Sequence, residues 1–236
     1  MLKFLPTLLQ ITLNDTTQQA VQKVGEEEIA PLSYWDLALE GGWVMIPIAL
    51  LSLIAIYIFV ERYFAINRAG KEQAQFMSRI KEYIHEGKID AALSFCSSSN
   101  TPIGNMIEKG VKRIGRPLND ISAAIENVGK QEIARLERGL PTMATVAGGA
   151  PMIGFLGTVM GMIKAFYKMA EVGHSVDIIH LSSGIYQAMV TTVAGLIVGI
   201  IAYFAYNILV SRIENVVAKL EARSTEFLDL LNEPVK

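Results

Sequence analysis

The sequence has little of what disulfide scaffolds, zinc proteins and nucleic-acid-binding proteins need. Its 236 residues hold one cysteine, Cys96, and three histidines, so no intrachain disulfide can form and no Cys/His cluster offers a zinc site. Lys and Arg number 21 against 23 Asp and Glu, and the net charge of -2 leaves no basic excess to attract nucleic acid. Neither a Walker loop nor a Rossmann fingerprint is present, which excludes nucleotide-driven transport by this chain.

Candidate catalytic groups are equally sparse. Ser182, Ser183 and Cys96 have no neighbouring base in the sequence, so nucleophilic catalysis has no support. His174 and His180 belong to no cluster of His, Asp or Glu at ligand spacing, and we expect them to be structural or solvated. We therefore expect a protein that is not an enzyme and that uses no metal and no cofactor.

Charge is absent from three long stretches. Hydrophobic residues make up 51% of the chain and charged residues 19%, and the mean hydropathy of +0.35 is too high for an ordinary soluble domain. The excess lies in charge-free runs at 41–60, 139–163 and 181–211, each long enough for a helix to cross the hydrocarbon core. We predict an all-α integral membrane protein with three transmembrane helices, at 41–60, 139–166 and 184–210.

The distribution of basic residues predicts how these helices are oriented. Residues 1–40 hold only Lys3 and Lys23 beside six acidic residues, whereas 61–138 hold thirteen Lys and Arg. Because basic residues accumulate on the cytoplasmic side, the N-terminus is predicted to lie in the periplasm. The remaining segments are then a cytoplasmic helical domain at 61–138, a periplasmic link at 167–183 and a cytoplasmic C-terminal helix at 211–236.

The periplasmic N-terminal segment 1–40 has two interpretations. It begins with MLKFLPTLLQITL, a short apolar run that Pro6 interrupts, and the following 14–17 form a poor cleavage site for a signal peptide. We favour a retained amphipathic segment on the outer membrane surface over a cleaved signal peptide. Trp43 and Tyr63 flank the first span as interfacial anchors.

Apolar residues recur at helical spacing outside the spans. Two such faces lie within 61–138 and a third follows the last span. Because these faces need partners, we expect the second and third membrane helices to extend into a cytoplasmic helical bundle. The faces are Met77, Ile80, Tyr83 and Ile84; Ile121, Ala124, Ile125 and Val128; and Ile213, Val216, Leu220, Phe227 and Leu231.

Several helix ends can be predicted in the bundle. Gly87 is expected to end the first helix, and Asp90 to cap a helix that runs through Cys96. Asn119 or Asp120 is expected to cap the following long helix, which runs without a clear break into the second span.

The second and third spans are polar and rich in small residues. Four threonines, Thr145, Thr158, Thr191 and Thr192, place hydroxyls at membrane depth, and GxxxG spacings at 157–161 and 195–199 let backbones approach closely. One interpretation is helix packing alone, since a threonine can satisfy itself on a carbonyl of its own helix. The other is a narrow polar path. No Asp, Glu, Lys or Arg lies at the membrane depth of any span, so a proton can cross only if another chain supplies the titrating group.

Two stretches resemble a known family. The run AGGAPMIGFLGTVMGMIKAF at 147–166 resembles the second span of the ExbB/TolQ/MotA family, whose pattern is APxLGLLGTVxGMIxAF. The run GIYQAMVTTVAGLIVGIIAYFAYN at 184–207 is similar to that family's GIxEALxxTAxGLxxAIPAxxxYN. Glu61-Arg62 matches a Glu-Arg pair after the family's first span, and 132–138 resembles its cytoplasmic helix. Three spans with an outer N-terminus resemble ExbB and TolQ, because the MotA type has four spans. The long outer N-terminal extension leans toward the ExbB type.

The resemblance implies a proton-driven motor in the bacterial inner (cytoplasmic) membrane. It implies a homopentamer around two copies of a single-span partner, ExbD or TolR, whose membrane Asp carries the proton. The motor acts through TonB on outer-membrane uptake, and its remaining surface contacts membrane lipid. The family's two pore-facing threonines match Thr158 and Thr192, which favours the polar path, and Gln187 and Thr191 lie beside that path.

The same resemblance assigns structural roles to other residues. Glu61 and Arg62 are expected to anchor the first span at the membrane interface. The residues expected to pack the second and third spans together are Pro151, Gly154, Gly157, Gly161, Gly195 and Gly199.

The sequence departs from the family pattern at Gln187, where the pattern has Glu. A glutamine can form hydrogen bonds but cannot titrate, so a mechanism that needs a carboxylate on this chain is in doubt. A proton remains the expected ion, because sodium coordination needs more oxygen ligands than these spans supply. The alternatives are a TolQ-like motor subunit that serves envelope integrity, and a membrane scaffold or channel without motor function.

Overall fold

The computed structural model describes residues 41–71, 75–172 and 178–232. Within them the chain forms a 3₁₀ turn at Gly42–Val44, seven α-helices and no strand. The predicted N-terminal segment 1–40 and His174 lie outside the described residues, as does the side chain of His180. The helices are α1 (Met45–Ala69), α2 (Phe76–His85), α3 (Ile89–Ser99), α4 (Pro102–Val111), α5 (Leu118–Leu136), α6 (Leu140–Val172) and α7 (Ile178–Asn232).

Three of the described helical stretches are long and apolar enough to cross a membrane, and they contain α1, α6 and α7. This confirms the predicted all-α membrane protein. With 55 residues, α7 is roughly 80 Å long, far more than the hydrocarbon core requires. Its second half therefore continues outside the membrane as part of a helical bundle.

The membrane helices extend past the predicted ends of their spans. α1 continues from Val60 to Ala69, because Ile66 and Ala69 find buried positions beside the bundle. α6 runs to Val172 and α7 starts at Ile178, so both enter the segment predicted as a link. A charge at a helix end stops neither backbone hydrogen bonding nor packing, so charge-free runs are shorter than the helices that contain them.

The helical bundle packs α2 to α5 and the second half of α7 around one apolar core. Ile80, Ile107, Ile125, Leu220 and Phe227 are all at most 2% exposed. Each predicted helical face supplies members of this core, and its remaining residues are partly buried against it. The predicted faces of the bundle are therefore confirmed.

Gly87, with a φ of 71°, follows the end of α2 as predicted, but the N-caps of α3 and α5 differ from the predicted ones. Lys88 occupies the N-cap of α3 and Asp90 lies in the first turn, where a carboxylate still favours the helix N-terminus. Pro117 precedes α5 in extended backbone, so that helix starts before Asn119 or Asp120 could cap it. Among α1 to α5, only α4 has a side-chain cap, where the Gly104 N–H donates to Thr101 Oγ1 at 3.2 Å.

The expected continuous helix from the bundle into the second span is also wrong. α5 ends at Leu136 and α6 begins at Leu140, with Gly139 between them at a φ of 89°. Residues with a side chain rarely adopt this left-handed backbone conformation, so glycine at this position favours the break. The second span is thus joined to the bundle by a short hinge-like interruption.

Candidate functional site

α6 and α7 pack together along a line of small residues, the α6–α7 seam. A Cβ placed on Gly154 would lie 2.8 Å from the Thr191 carbonyl oxygen, and one on Gly195 would lie 2.6 Å from the Ala150 carbonyl oxygen. Only glycine therefore permits this approach of the two backbones. Contacts at lower numbers in α6 meet higher numbers in α7, so the helices are antiparallel. The six residues predicted to pack the helices, Pro151, Gly154, Gly157, Gly161, Gly195 and Gly199, all lie in the seam.

Two adjacent threonines of α7 direct their hydroxyls to the same carbonyl of α6. Thr192 Oγ1 donates to Gly154 O at 3.1 Å, and Thr191 Oγ1 lies 3.4 Å from that oxygen. Thr191 Oγ1 also donates to Ala188 O at 2.8 Å, the shorter of its two contacts. Thr191 is 1% exposed and packs against Gly157, so its place is inside the helix contact. Thr192 is half-buried.

Thr158 lies on the same stretch of α6, one turn beyond Gly154. Its hydroxyl donates to Phe155 O at 2.6 Å, and the side chain is half-buried. Thr145, nearer the start of α6, is exposed and donates to Pro141 O at 2.8 Å. The hydroxyls of Thr145 and Thr158 each donate to a carbonyl of their own helix and keep lone pairs that can accept a hydrogen bond.

Pro151 interrupts the hydrogen bonds of α6 within the seam. A proline has no N–H, so it cannot donate to the carbonyl of Ala147 one turn earlier. A Cβ on Gly199 would lie 3.0 Å from this carbonyl oxygen, so the bare glycine of α7 covers it closely. Pro151 and Gly199 therefore form a matched pair across the seam.

Gln187 connects α7 to the start of the first membrane helix. Its side-chain amide lies against Gly42, whose φ of 68° is a conformation that favours glycine. Gln187 and Thr191 line a largely apolar cavity of about 340 Å³ that also meets Trp43 and Lys164. The amide thus occupies a position where the family pattern has a carboxylate, and it makes a contact between helices.

Arg62 forms one contact within α1 and one with α5. Its Nη2 lies 2.6 Å from Glu61 Oε1, and its Nη1 donates to the Arg135 carbonyl at 2.9 Å. That carbonyl belongs to the last turn of α5, where free carbonyls favour a cation. Arg62 therefore ties α1 to the end of α5, directly before the interruption at Gly139.

A polar chain continues from this contact into the bundle. Arg135 Nη1 donates to Glu132 Oε1 at 2.9 Å, and Asn105 Nδ2 donates to the same oxygen at 3.1 Å. Glu132 is 9% exposed, so these two donors compensate for the burial of its charge. Of the residues in this hydrogen-bonded network, only Glu61 and Arg62 were predicted as site residues. Its other members are brought together by the packing of α1, α4 and α5, for which the sequence has no motif.

The site contains no charged group at membrane depth. Of the residues the structure describes, no Asp, Glu, Lys or Arg occurs in 140–163 of α6 or in 178–211 of α7. No group of three or more His, Cys, Asp and Glu able to hold a metal occurs in the described ranges. Cys96 lies in the bundle core, and burial, followed by the nearby Glu108 carboxylate, raises the pKa of its thiol to about 12. The seam can therefore offer hydroxyls and carbonyls to a passing proton, but no titrating group.

Comparison with known proteins supports the family resemblance. The family model described as MotA/TolQ/ExbB proton channel family matches residues 98–222, more than half of the chain. The chain is 28% identical over 77% of its length to a putative biopolymer transport protein ExbB homolog of Methanothermobacter thermautotrophicus, and it spans 64% of that relative. It is 27% identical to the Tol-Pal system protein TolQ of Pseudomonas aeruginosa, covering 86% of this chain and 94% of TolQ.

A third relative is the biopolymer transport protein ExbB of Aquifex aeolicus. It is 34% identical over 62% of this chain and 93% of its own length. The family match extends from the end of α3 through α6 into the second half of α7, so it includes the whole α6–α7 seam. The chain belongs to the MotA/TolQ/ExbB proton channel family.

Proposed function

We propose that this chain is an inner-membrane stator subunit of a motor driven by the proton-motive force. Five copies surround a single-span partner of the ExbD or TolR kind, and a membrane Asp of that partner carries the proton. Through a TonB-like protein, the motor energises uptake at the outer membrane. The N-terminus lies in the periplasm and the C-terminus in the cytoplasm.

The observation that carries this proposal is the combination of threonine hydroxyls and missing charge in the α6–α7 seam. Thr192 donates to Gly154 O, and Thr158 lies one turn further along α6, within helices that hold no charged residue at this depth. A buried proton carrier must be a titrating group, so it has to come from another chain. This chain then supplies the surroundings in which that group exchanges its proton.

The hydroxyls of Thr158 and Thr192 suit such surroundings because each can still accept a hydrogen bond. Each donates its proton to a backbone carbonyl and keeps lone pairs for a water molecule or a protonated carboxyl group. Both are half-buried in the single chain and so retain surface for a partner. Thr191 is enclosed between the helices, and we assign it to the support of Thr192. Gln187, at the Gly42 contact, would take part as a neutral hydrogen-bonding group.

Two other functions can be distinguished from this one by experiment. A TolQ-like role in envelope integrity is favoured by the TolQ relative, which this chain matches over 94% of that protein. Deletion of the gene distinguishes the two motors, because loss of an ExbB-like subunit causes starvation for scarce iron chelates and loss of a TolQ-like subunit causes detergent sensitivity. A scaffold or channel without motor function is favoured if no single-span partner with a membrane Asp copurifies.

The test replaces both hydroxyls by methyl groups of similar volume. We expect Thr158→Val with Thr192→Val to abolish TonB-dependent growth on a scarce iron chelate. Thr158→Ser with Thr192→Ser keeps the hydroxyls and should restore growth. Thr145→Val is the matched control, because Thr145 lies on the same helix and its exposed hydroxyl serves only its own backbone.

Assembly is measured on the same variants as the mass of the intact complex copurified with its partner. The proposal expects an unchanged mass for the double valine variant, so that lost growth reports on the path. Unchanged growth of this variant would contradict a role for the two hydroxyls. A complex of the wrong subunit number would contradict the pentamer.

A further inference from the structure

Two grooves lie in line between α1 and α7. The first is apolar, has a volume of about 470 Å³ and is lined at membrane depth by residues such as Ser52, Phe59 and Ile201. The second is polar, has a volume of about 400 Å³ and begins at Ile66 of α1 and Arg212 of α7. The two differ in chemistry, and both run along α1 and α7, with Met143 of α6 also lining the apolar groove.

The sequence spacing places both grooves on the same side of this helix pair. On α1, the lining residues recur every three or four positions, and so they share one face of the helix. The same holds along α7, from the apolar groove into the polar one. The two series are Ser52, Ile56, Phe59, Ile66 and Gly70 on α1, and Ile197, Ile201, Phe204, Ile208, Arg212, Asn215 and Lys219 on α7.

The polar groove is a cleft of basic character. Lys71, Arg212 and Lys219 line it together with the amides of Asn67 and Asn215, and no carboxylate lines it among the described residues. Glu72 lies outside those residues. Ammonium, guanidinium and amide groups at one cleft are the donors that bind phosphate oxygens.

One of the three cations is held in place by the protein itself. The guanidinium carbon of Arg212 lies 4.4 Å from the centroid of the Tyr63 ring, and its Nη2 donates to Tyr63 Oη at 3.3 Å. Tyr63 lies on α1 between Phe59 and Ile66, at the junction of the two grooves. The aromatic contact orients the cation, so little side-chain freedom is lost when an anion binds.

The depth of the cleft matches the membrane surface. The predicted spans end at Val60 in α1 and near residue 210 in α7, a few residues before the cleft. The apolar groove extends along α7 from Ile197 to Ile208, which is roughly 16 Å at the helical rise and similar to an acyl chain. The cleft therefore lies where a headgroup would lie if its acyl chain occupied the groove.

We propose that the α1–α7 groove binds one anionic phospholipid, with its phosphate between Lys71, Arg212 and Lys219 and an acyl chain along the apolar groove. The cleft alone would also suit free phosphate. The apolar groove in line with it favours the lipid, because a free anion gains nothing from apolar surface. Electrostatic attraction makes lipids with a net negative charge preferred over zwitterionic ones.

The experiment titrates the purified, delipidated full chain in detergent with lipid and counts bound lipid by native mass spectrometry. The probes are phosphatidylglycerol and phosphatidylcholine with the same acyl chains, and inorganic phosphate. We expect phosphatidylglycerol to bind roughly tenfold more tightly than phosphatidylcholine. Lys71→Gln with Lys219→Gln should abolish most of this preference, and both side chains are exposed, so the fold is retained.

Two further variants separate the headgroup from the acyl chain. Lys109→Gln with Lys130→Gln removes two exposed lysines of the bundle and is the charge-matched control, which should bind phosphatidylglycerol as the unaltered chain does. Ser52→Phe fills the apolar groove without changing charge and should weaken binding of both lipids.

The outcomes decide between the sources of phosphate. Equal binding of phosphatidylglycerol by the Lys71/Lys219 variant and the unaltered chain would overturn the proposal. Inorganic phosphate that displaces the lipid at comparable concentration, or a Ser52→Phe variant that binds both lipids normally, would show a site for free anions and would also overturn it.

Discussion

At the scale of single residues, the absence of a side chain at Gly154 decides how α6 and α7 meet. A Cβ at this position would lie 2.8 Å from the Thr191 carbonyl oxygen and 3.2 Å from the Cα atoms of Thr192 and Gly195. All three are backbone atoms, which cannot turn away as a flexible side chain can. One added methyl group must therefore separate the two helices, with the hydroxyl of Thr192 drawn away from its acceptor.

We predict that Gly154→Ala destabilises the protein by about 1–3 kcal/mol, the usual range for overpacking. Thermal unfolding in detergent measures this as a lower midpoint. Gly148→Ala is the control on the same helix, because a Cβ there meets nothing within 4 Å. Alanine favours helix over glycine by about 0.5–1 kcal/mol, so the control should be neutral or stabilising. Equal effects of the two substitutions would refute the close seam.

Cys96 yields a second prediction at this scale. Its thiol is buried in the bundle, with a pKa raised to about 12, and the thiolate is the reactive form. We expect maleimide to label the folded protein near neutral pH at least about a hundredfold more slowly than the denatured chain. Rapid labelling of the folded chain would show that the bundle core opens readily.

The raised pKa also has a consequence for stability. Between the ordinary value of 9.0 and about 12, the thiol ionises in the unfolded chain but not in the folded one. This contribution to stability is therefore constant below about pH 9 and decreases as the pH rises from there toward 12. Denaturant unfolding of the chain against a Cys96→Ala variant across this range should show the difference.

The sequence alone identified the important residue types in the seam, but not their contacts. Threonine and glycine at membrane depth are visible as an unusual composition. The bond from Thr192 to Gly154 joins residues 38 positions apart, and the contact between Gln187 and Gly42 joins two different spans. Such pairs depend on helix register. GxxxG spacing allows the helices to pack closely but does not determine their register.

At the scale of helices, the contact between Arg62 and α5 controls the entry into the second span. The Arg62 guanidinium holds the Arg135 carbonyl, and Gly139 follows in left-handed backbone. A Cβ on Gly139 would lie 3.2 Å from Ile58 of α1, so the interruption itself is packed against the first span. α1 thereby holds the interruption in its position.

We predict that Arg62→Gln loosens the end of α5 and increases tryptic cleavage after Arg138, an exposed residue in the interruption. Loss of a hydrogen bond with a charged donor costs about 1.5–3 kcal/mol, so cleavage of the folded protein should accelerate roughly tenfold or more. Arg68→Gln, at an exposed position in the last turn of the same helix, is the control. No difference between the two variants would exclude the proposed tie.

The existence of the helices was predictable, and their ends were not. Charge-free length predicts a membrane span because the hydrocarbon core has a fixed thickness. Helix ends depend instead on tertiary contacts, which is why α1 continues nine residues past Val60 and α7 runs through to Asn232 without interruption. The caps of α3 and α5 were missed for a related reason: Asp90 and Asp120 each lie in a first turn, where the helix favours acids as it does at the cap.

At the scale of the whole molecule, three membrane helices carry a helical bundle, and α7 belongs to both parts. Its first half forms the seam with α6, and its second half supplies Leu220 and Phe227 to the bundle core. A continuous helix transmits rotation and translation along its axis. The second half of α7 therefore holds the seam in a fixed position relative to the helical bundle.

In the proposed motor, this chain provides hydroxyl groups and another chain provides the group that carries the proton. The described spans contain no titrating carboxylate or amine at membrane depth, while Thr158 and Thr192 donate to neighbouring carbonyls of α6, those of Phe155 and Gly154. Moving one charge through a membrane potential of about 100 mV yields roughly 2.3 kcal/mol, so work at another membrane has to sum several transfers. In the proposed motor, each transfer would use a carboxylate of the partner together with the hydroxyls of this chain.

The most direct measurement is proton uptake by proteoliposomes under an imposed potential, for this chain alone and for its complex with the single-span partner. The account predicts no uptake above that of empty liposomes for the chain alone. It predicts uptake by the complex, abolished by replacing the partner's membrane Asp with Asn and by Thr158→Val with Thr192→Val, and retained with Thr145→Val. Uptake by the chain alone at the rate of the complex would contradict the claim that another chain carries the proton.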